Sequence, residues 1–237
     1  MLYMLMPLDR HFDRGFGAMA DAFKNAADAL ETSEEASAKA LNGHLPISFL
    51  YRHSIELYLK SAIIIFHRKF KLPYGPLSYD GEPHVLMETK WKPLYRIHAL
   101  QPLYSYFRKL FADHAEYLSA HTGTDWTFPD ELSGWIQIIE ATDPTSTFFR
   151  YPITANRDKD ASKSDIQPEA YDHMLETLSA RPEPLKAFLM VDENDQVIES
   201  FSHNPSAATA NLAALKEAAE FLFCCHAGLV GELTGGQ

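Results

Sequence analysis

A chain of 237 residues that is 46% hydrophobic and 22% charged holds enough apolar material for one large domain or two small ones, which excludes a wholly disordered polymer. Its net charge of −11 excludes a protein that coats nucleic acid by bulk electrostatics. The two cysteines, Cys224 and Cys225, are adjacent, and neighbouring helical side chains diverge by about 100°, so they read as two buried thiols in a reducing compartment.

The predicted elements are mostly helical. From Asp13 to about Lys39, Phe16, Met19, Phe23, Ala26, Ala27 and Leu30 recur at three- and four-residue steps, the spacing of an amphipathic helix. "NGHLP" at 42–46 interrupts it, and a second helix runs from about Pro46 to Lys69. Residues 71–93 hold three Pro and two Gly before "HVLMETKW", an irregular insert with one short strand. A third helix starts near His98, its stripe being Leu100, Leu103, Phe107, Leu110, Phe111 and Leu118. A fourth, "LSGWIQIIEA", ends at "TDPTSTFFRYP". Residues 153–170 read as a polar loop and "YDHMLETLSA" as a short helix. Residues 186–201 read as a β-hairpin around Asp192-Glu193-Asn194-Asp195. The last helix runs from about Pro205 to Leu229, with Asn204-Pro205-Ser206 as its start and Gly231 as its stop. The expected fold is mainly α: one domain over 1–237, an antiparallel bundle of five or six helices carrying the Pro-rich insert and the hairpin.

The N-terminal "MLYMLMPLDRHF" lacks a positive leader and a small-residue cleavage site, and no apolar run approaches the ~20 residues that span a bilayer. The expectation is a soluble cytoplasmic protein with no membrane partner.

Charge is unevenly distributed. Between Arg52 and Ala112 ten Lys/Arg stand against four Asp/Glu, a segment of +6 within a chain of −11. That balance suits a specific anionic ligand, or charges scattered by helix packing. Arg52, Glu56 and Lys60 fall at i, i+4 and i+8 and share a helix face. On a solvated face such pairs contribute only ~0.3–0.5 kcal/mol each. Here Tyr51, Leu57, Tyr58 and Ile65 flank the stripe, so an inward row is expected, and buried charges need partners. His98, Asp143 and Arg150 are the candidates elsewhere in the chain. Either these groups line a pocket for a nucleotide or RNA phosphate, or they pin the 143–152 loop onto the second helix. The ligand-binding candidates are Arg52, His53, Glu56, Lys60, His98, Asp143 and Arg150.

The combination of "FLYRHSIELYLKSAI", His98-Ala99-Leu100 opening a helix, and "DPTSTFFRYP" resembles bacterial proteins of the HEPN-like class (higher eukaryotes and prokaryotes nucleotide-binding domain). The resemblance covers residues 49–152; the first and last helices fit it by position. It implies a helical bundle, often a homodimer, in defence or toxin–antitoxin systems, where a protein partner such as an antitoxin is expected. Many such proteins are metal-independent RNases using an Arg followed four to six residues later by a His. The His exchanges a proton with the 2′-OH or the leaving oxygen, and the Arg offsets phosphate charge. Among the nine arginines, Arg108 with His114 has that spacing. It departs from the family pattern in having Lys109 after the Arg and in lying on the third helix. The remaining alternative is a non-enzymatic interaction or dimerisation protein whose polar network is structural, with "MLYMLMPL" and "PLYSYF" as contact surfaces.

No cofactor is expected: there is no phosphate loop and no G-x-S-x-G elbow. No metal is expected either, since His114/His121 and His11/Asp13 fall short of three ligands.

Overall fold

The computed structural model describes residues 6–33, 42–154, 156–178, 186–203 and 206–236, without the side chains of 158 and 206–210. Among these residues the protein is mostly helical, with two small antiparallel sheets. Helix α1 spans Phe16–Thr32, α2 His44–Phe70, α3 Leu100–Asp113, α4 Ala115–His121, α5 Glu131–Thr142, α6 Arg157–Ala161, α7 Tyr171–Thr177 and α8 Ser206–Thr234. Strands β1 His84–Met87 and β2 Lys90–Pro93 form a hairpin, and β3 Ile166–Pro168, β4 Ala187–Val191 and β5 Val197–His203 form a second sheet in the order β3-β5-β4.

Helix α2 is the axis of the molecule. Ile55, Leu59, Ile63, Ile64, Ile65 and Phe66 are all fully buried, so the helix has no solvated face along its centre. It packs against α1, α3 and α8. Each such side chain contributes ~1.5–3 kcal/mol on burial. The helix closes where Lys71 turns left-handed (φ 52°) and the Leu72 N–H bonds the His67 carbonyl at 2.8 Å.

Helix α1 is fastened to that axis by polar groups. The Asp13 carboxylate accepts from the N–H groups of Gly15 (2.9 Å) and Gly17 (2.7 Å), capping α1. It also accepts from the Ser61 hydroxyl of α2 at 2.5 Å and lies 3.5 Å from His226 Nε2 of α8. Burial would raise the Asp13 pKa, but His226, Ser61 and Gly17 outweigh it and hold the carboxyl below its ordinary value. Gly15 must be glycine: its φ is +81°, and a Cβ there would meet the Leu8 carbonyl at 2.8 Å.

Several expectations change. The first helix ends at Thr32 because Ser33 is extended; residues 34–39 of the expected helix lie outside the described residues. The insert at 71–93 contains a complete hairpin rather than one strand, seated by the Trp91 ring against Gly75 (φ +65°). The third helix breaks at His114, whose ring Nδ1 bonds the Leu110 carbonyl at 2.9 Å while its N–H turns to the Phe111 carbonyl. A side chain thus replaces the helical backbone bond, and Leu118 belongs to α4. Residues 153–170 are not one loop: they hold α6 and β3, and β3 extends the expected hairpin to three strands. Residues 179–180 of the "YDHMLETLSA" helix and the expected start at Asn204-Pro205 lie outside the described residues. The last helix passes through Gly231 and ends before Gly235 (φ +70°), where the Gly236 N–H bonds the Val230 carbonyl at 3.0 Å. No helix among the described residues is long and apolar enough to cross a membrane.

At the end of α2, His67 is buried as a neutral ring. Its Nδ1–H donates to the Leu72 carbonyl (2.8 Å), leaving Nε2 to accept from the Tyr106 hydroxyl (2.9 Å), and the ring stacks on Tyr74 at 4.0 Å. Burial pushes its pKa down to about 4. The unfolded chain therefore takes up this proton first, near pH ~6.5. The stabilisation is complete above that value and declines as pH falls towards 4. Between pH 7 and 4 the wild type should lose about 3 kcal/mol more stability than His67→Gln, measured by urea unfolding.

Candidate functional site

The stripe of α2 faces inward. Arg52, Glu56 and Lys60 are all at most 2% exposed. Spacing alone puts them on one face, and the neighbouring helices bury that face. Glu56 Oε1 accepts from Lys60 Nζ at 2.7 Å and lies 3.0 Å from His98 Nδ1; Glu56 Oε2 accepts from Arg52 Nη1 at 3.2 Å. Arg52 Nη2 donates to the carbonyls of His98 (2.7 Å) and Asp143 (3.3 Å). Its Nε sits 3.0 Å from Asp143 Oδ2, an ion-pair approach off the hydrogen-bond axis. Two buried cations thus meet two buried carboxylates.

Asp143 ends α5, and its other oxygen receives the N–H groups of Thr147 (2.7 Å) and Phe148 (3.0 Å). One carboxylate therefore folds the "DPTSTFF" turn and holds it to α2. Beside it, Glu140 Oε2 receives the Leu100 N–H at 2.9 Å and caps α3. Burial raises the Glu140 pKa against the opposing effect of that bond and of Arg52. For Glu56, burial raises the pKa, but Lys60, Arg52 and His98 together outweigh it and hold the carboxyl below its ordinary value.

The other candidates lie outside this network. His53 sits between Phe23 (4.5 Å, edge-on) and Phe49 (5.8 Å, stacked), and its buried Nδ1 has no hydrogen-bond partner among the described residues. Burial lowers its pKa, with Glu56 opposing and Lys60, Arg150 and Arg52 adding to the fall. Arg150 is exposed, its guanidinium 5.6 Å from the Phe49 ring centre. It does not join the network, whose carboxylates Glu56 and Asp143 are already engaged by Arg52, Lys60 and His98.

Arg108 and His114 have different surroundings. Arg108 is exposed, lies 4.4 Å from the Phe128 ring centre, and donates to the Tyr104 hydroxyl at 3.2 Å. It lines an open cavity of about 480 Å³ with Phe111, Ser119, Thr122, Trp126 and Phe128. His114 is not in that lining; it stacks on Phe70 of α2 at 4.0 Å. Within one chain the two face separate neighbours.

Sequence reasoning missed two parts. Glu140 is an acidic residue three before Asp143, with no sequence sign that it would cap a helix forty residues away. The Asp13–Ser61–His226 cluster joins three helices; only Asp13, just before the first apolar period, carried a cap signal. Cys224 and Cys225 are both free, but only Cys225 is buried, which raises its thiol pKa; Cys224 is exposed, contrary to the expected buried pair. Among the described residues no group of three or more His, Cys, Asp or Glu is placed to hold a metal ion.

The class defined by these observations is a mostly helical protein whose central helix carries a neutralised charge row. Comparison with protein-family models, curated proteins and solved structures finds no match.

Removing one member of the row strands a buried partner. Glu56→Ala should destabilise the fold by about 3–5 kcal/mol, whereas Arg150→Ala should change it by less than ~0.5 kcal/mol. Chemical denaturation at pH 7 separates the two. The folded Glu56 pKa lies below the unfolded one, so its stabilisation is present above pH ~4.3 and is lost as pH falls through the folded value. Glu56→Gln should therefore flatten the acid side of the stability profile.

Proposed function

We propose that this chain is an HEPN-like antiparallel helical bundle that binds RNA or a nucleotide at the Arg108 cavity, in a bacterial defence or toxin–antitoxin setting. The kinship is supported by the contacts joining all three sequence segments that resemble the class: Arg52 with Asp143, and Glu56 with His98. The observation that carries the ligand is the lining of the cavity. An exposed guanidinium beside the half-buried Trp126 and Phe128 offers one phosphate contact and aromatic surface for a base, with the Asp125 carboxylate in the same lining setting where the phosphate is not placed. Ser119 and Thr122 add hydroxyls at the same place. The Arg52 row takes no part in this reading, because its carboxylates already neutralise both cations.

A second reading is favoured by that same neutralisation: a non-enzymatic interaction protein whose charge row is structural. One set of measurements distinguishes the two. Fluorescence anisotropy with a labelled single-stranded RNA at low salt should show binding that Arg108→Glu weakens at least tenfold and Arg96→Ala leaves within about twofold. Absence of any binding favours the interaction protein. Cleavage of total RNA by the wild type and by His114→Ala tests catalysis: equal cleavage, or none by either, removes Arg108/His114 as a reacting pair.

A further inference from the structure

Among the described residues the second sheet ends in a strand with an open edge. In the order β3-β5-β4, strand β4 has a neighbour on one side only among the described residues. Its five residues, Ala187–Val191, are all exposed and carry no charge. Phe188, Leu189, Met190 and Val191 are each about half exposed (46–53%), and Ile198 of β5 is 63% exposed. Natural edge strands are ordinarily shortened, charged or covered. Here the register shift near Val191 places the extra residue on β5, so the β4 edge itself stays regular.

We propose that β4 pairs antiparallel with β4 of a second copy of this chain, about a two-fold axis through Leu189. Three observations point to that occupant. The His203 N–H bonds the Lys186 carbonyl and the Asp192 N–H bonds the Gln196 carbonyl, both at 2.9 Å. By antiparallel alternation Lys186, Phe188, Met190 and Asp192 turn their backbone groups to β5. Ala187, Leu189 and Val191 turn theirs to the open edge. That outward set is symmetric about Leu189, so two copies satisfy each other with about six backbone hydrogen bonds.

The side chains obey the same symmetry. With Leu189 opposite itself, Phe188 faces the partner's Met190, a sulfur–aromatic contact. Lys186 faces the partner's Asp192 at each end of the ladder, an opposite-charge pair that fixes the register. The outcome is one continuous six-stranded sheet across the axis. This inference does not depend on the ligand read for the Arg108 cavity.

The test is sedimentation velocity on the full chain from about 1 to 200 μM. The wild type should pass from monomer to dimer over that range. Leu189→Pro removes only the outward N–H and leaves the β4–β5 ladder in place, so it should weaken dimerisation at least tenfold with the circular dichroism spectrum unchanged. Lys186→Glu sets like charges opposite each other and should also weaken it, by about fivefold or more. A monomer at every concentration overturns the proposal. So does a dimer that neither variant weakens, because its interface then lies elsewhere, for example on the helices.

Discussion

The Arg52 guanidinium is the point on which the helical body turns. It is fully buried in the third turn of α2, and its donors reach a carboxylate on its own helix, the carboxylate that ends α5, and the carbonyl just before α3. A planar fork of five N–H groups can serve three elements at once; a lysine ammonium at that position could not hold the same directions. The chain between α5 and α6 and the entry to α3 are therefore located by one side chain. Burying it is costly, which is why the carboxylates of Glu56 and Asp143 lie close to it.

Glu56 then carries a heavy electrostatic load. One oxygen serves Lys60 and His98 and the other serves Arg52. Replacing such a row with apolar residues is often neutral for stability, so its value lies in specifying one arrangement. Lys60 has no hydrocarbon equivalent that also satisfies Glu56, and Arg52 has none that also donates to two carbonyls. On the other end of the same helix, Ser61 meets Asp13 and His67 meets Tyr106. Polar contacts thus recur along α2 from Arg52 to His67, and between them they reach several neighbouring elements. Together they fix how the surrounding helices are placed around an otherwise apolar axis.

The small sheet follows the opposite rule. Its strands β4 and β5 bury little: only Ser202 among them is fully covered. α7 packs on β5 and buries Met174, while β4 is left outward. An apolar strand whose outer edge has no neighbour among the described residues is a liability in a monomer and an asset at a symmetric contact. The helical body and this sheet therefore divide the work: the first holds a fixed geometry, the second offers surface.

Much of the helical body was legible because it follows from period. The apolar steps of 16–30, 100–111 and 132–139 each name a helix, and the crowded flanks of Arg52, Glu56 and Lys60 were enough to turn that row inward. The 186–201 hairpin was legible from two apolar runs around an acidic turn. Boundaries were not, wherever a side chain overrode the backbone pattern: the His114 ring took a helix carbonyl, and Gly231 stayed helical because its φ was never required to be positive. The strand at 166–168 has no pattern of its own and exists only because β5 lies beside it. The sequence alone determined which face of each helix is apolar, since 3.6-residue periodicity is a local property of the chain. Only the tertiary structure decided that Asp143 pairs with Arg52 and not with Arg150, that Glu140 caps α3, and that Arg108 and His114 part company. Those choices are made between residues far apart in the chain, where competition for one guanidinium or one carbonyl is settled by packing in space.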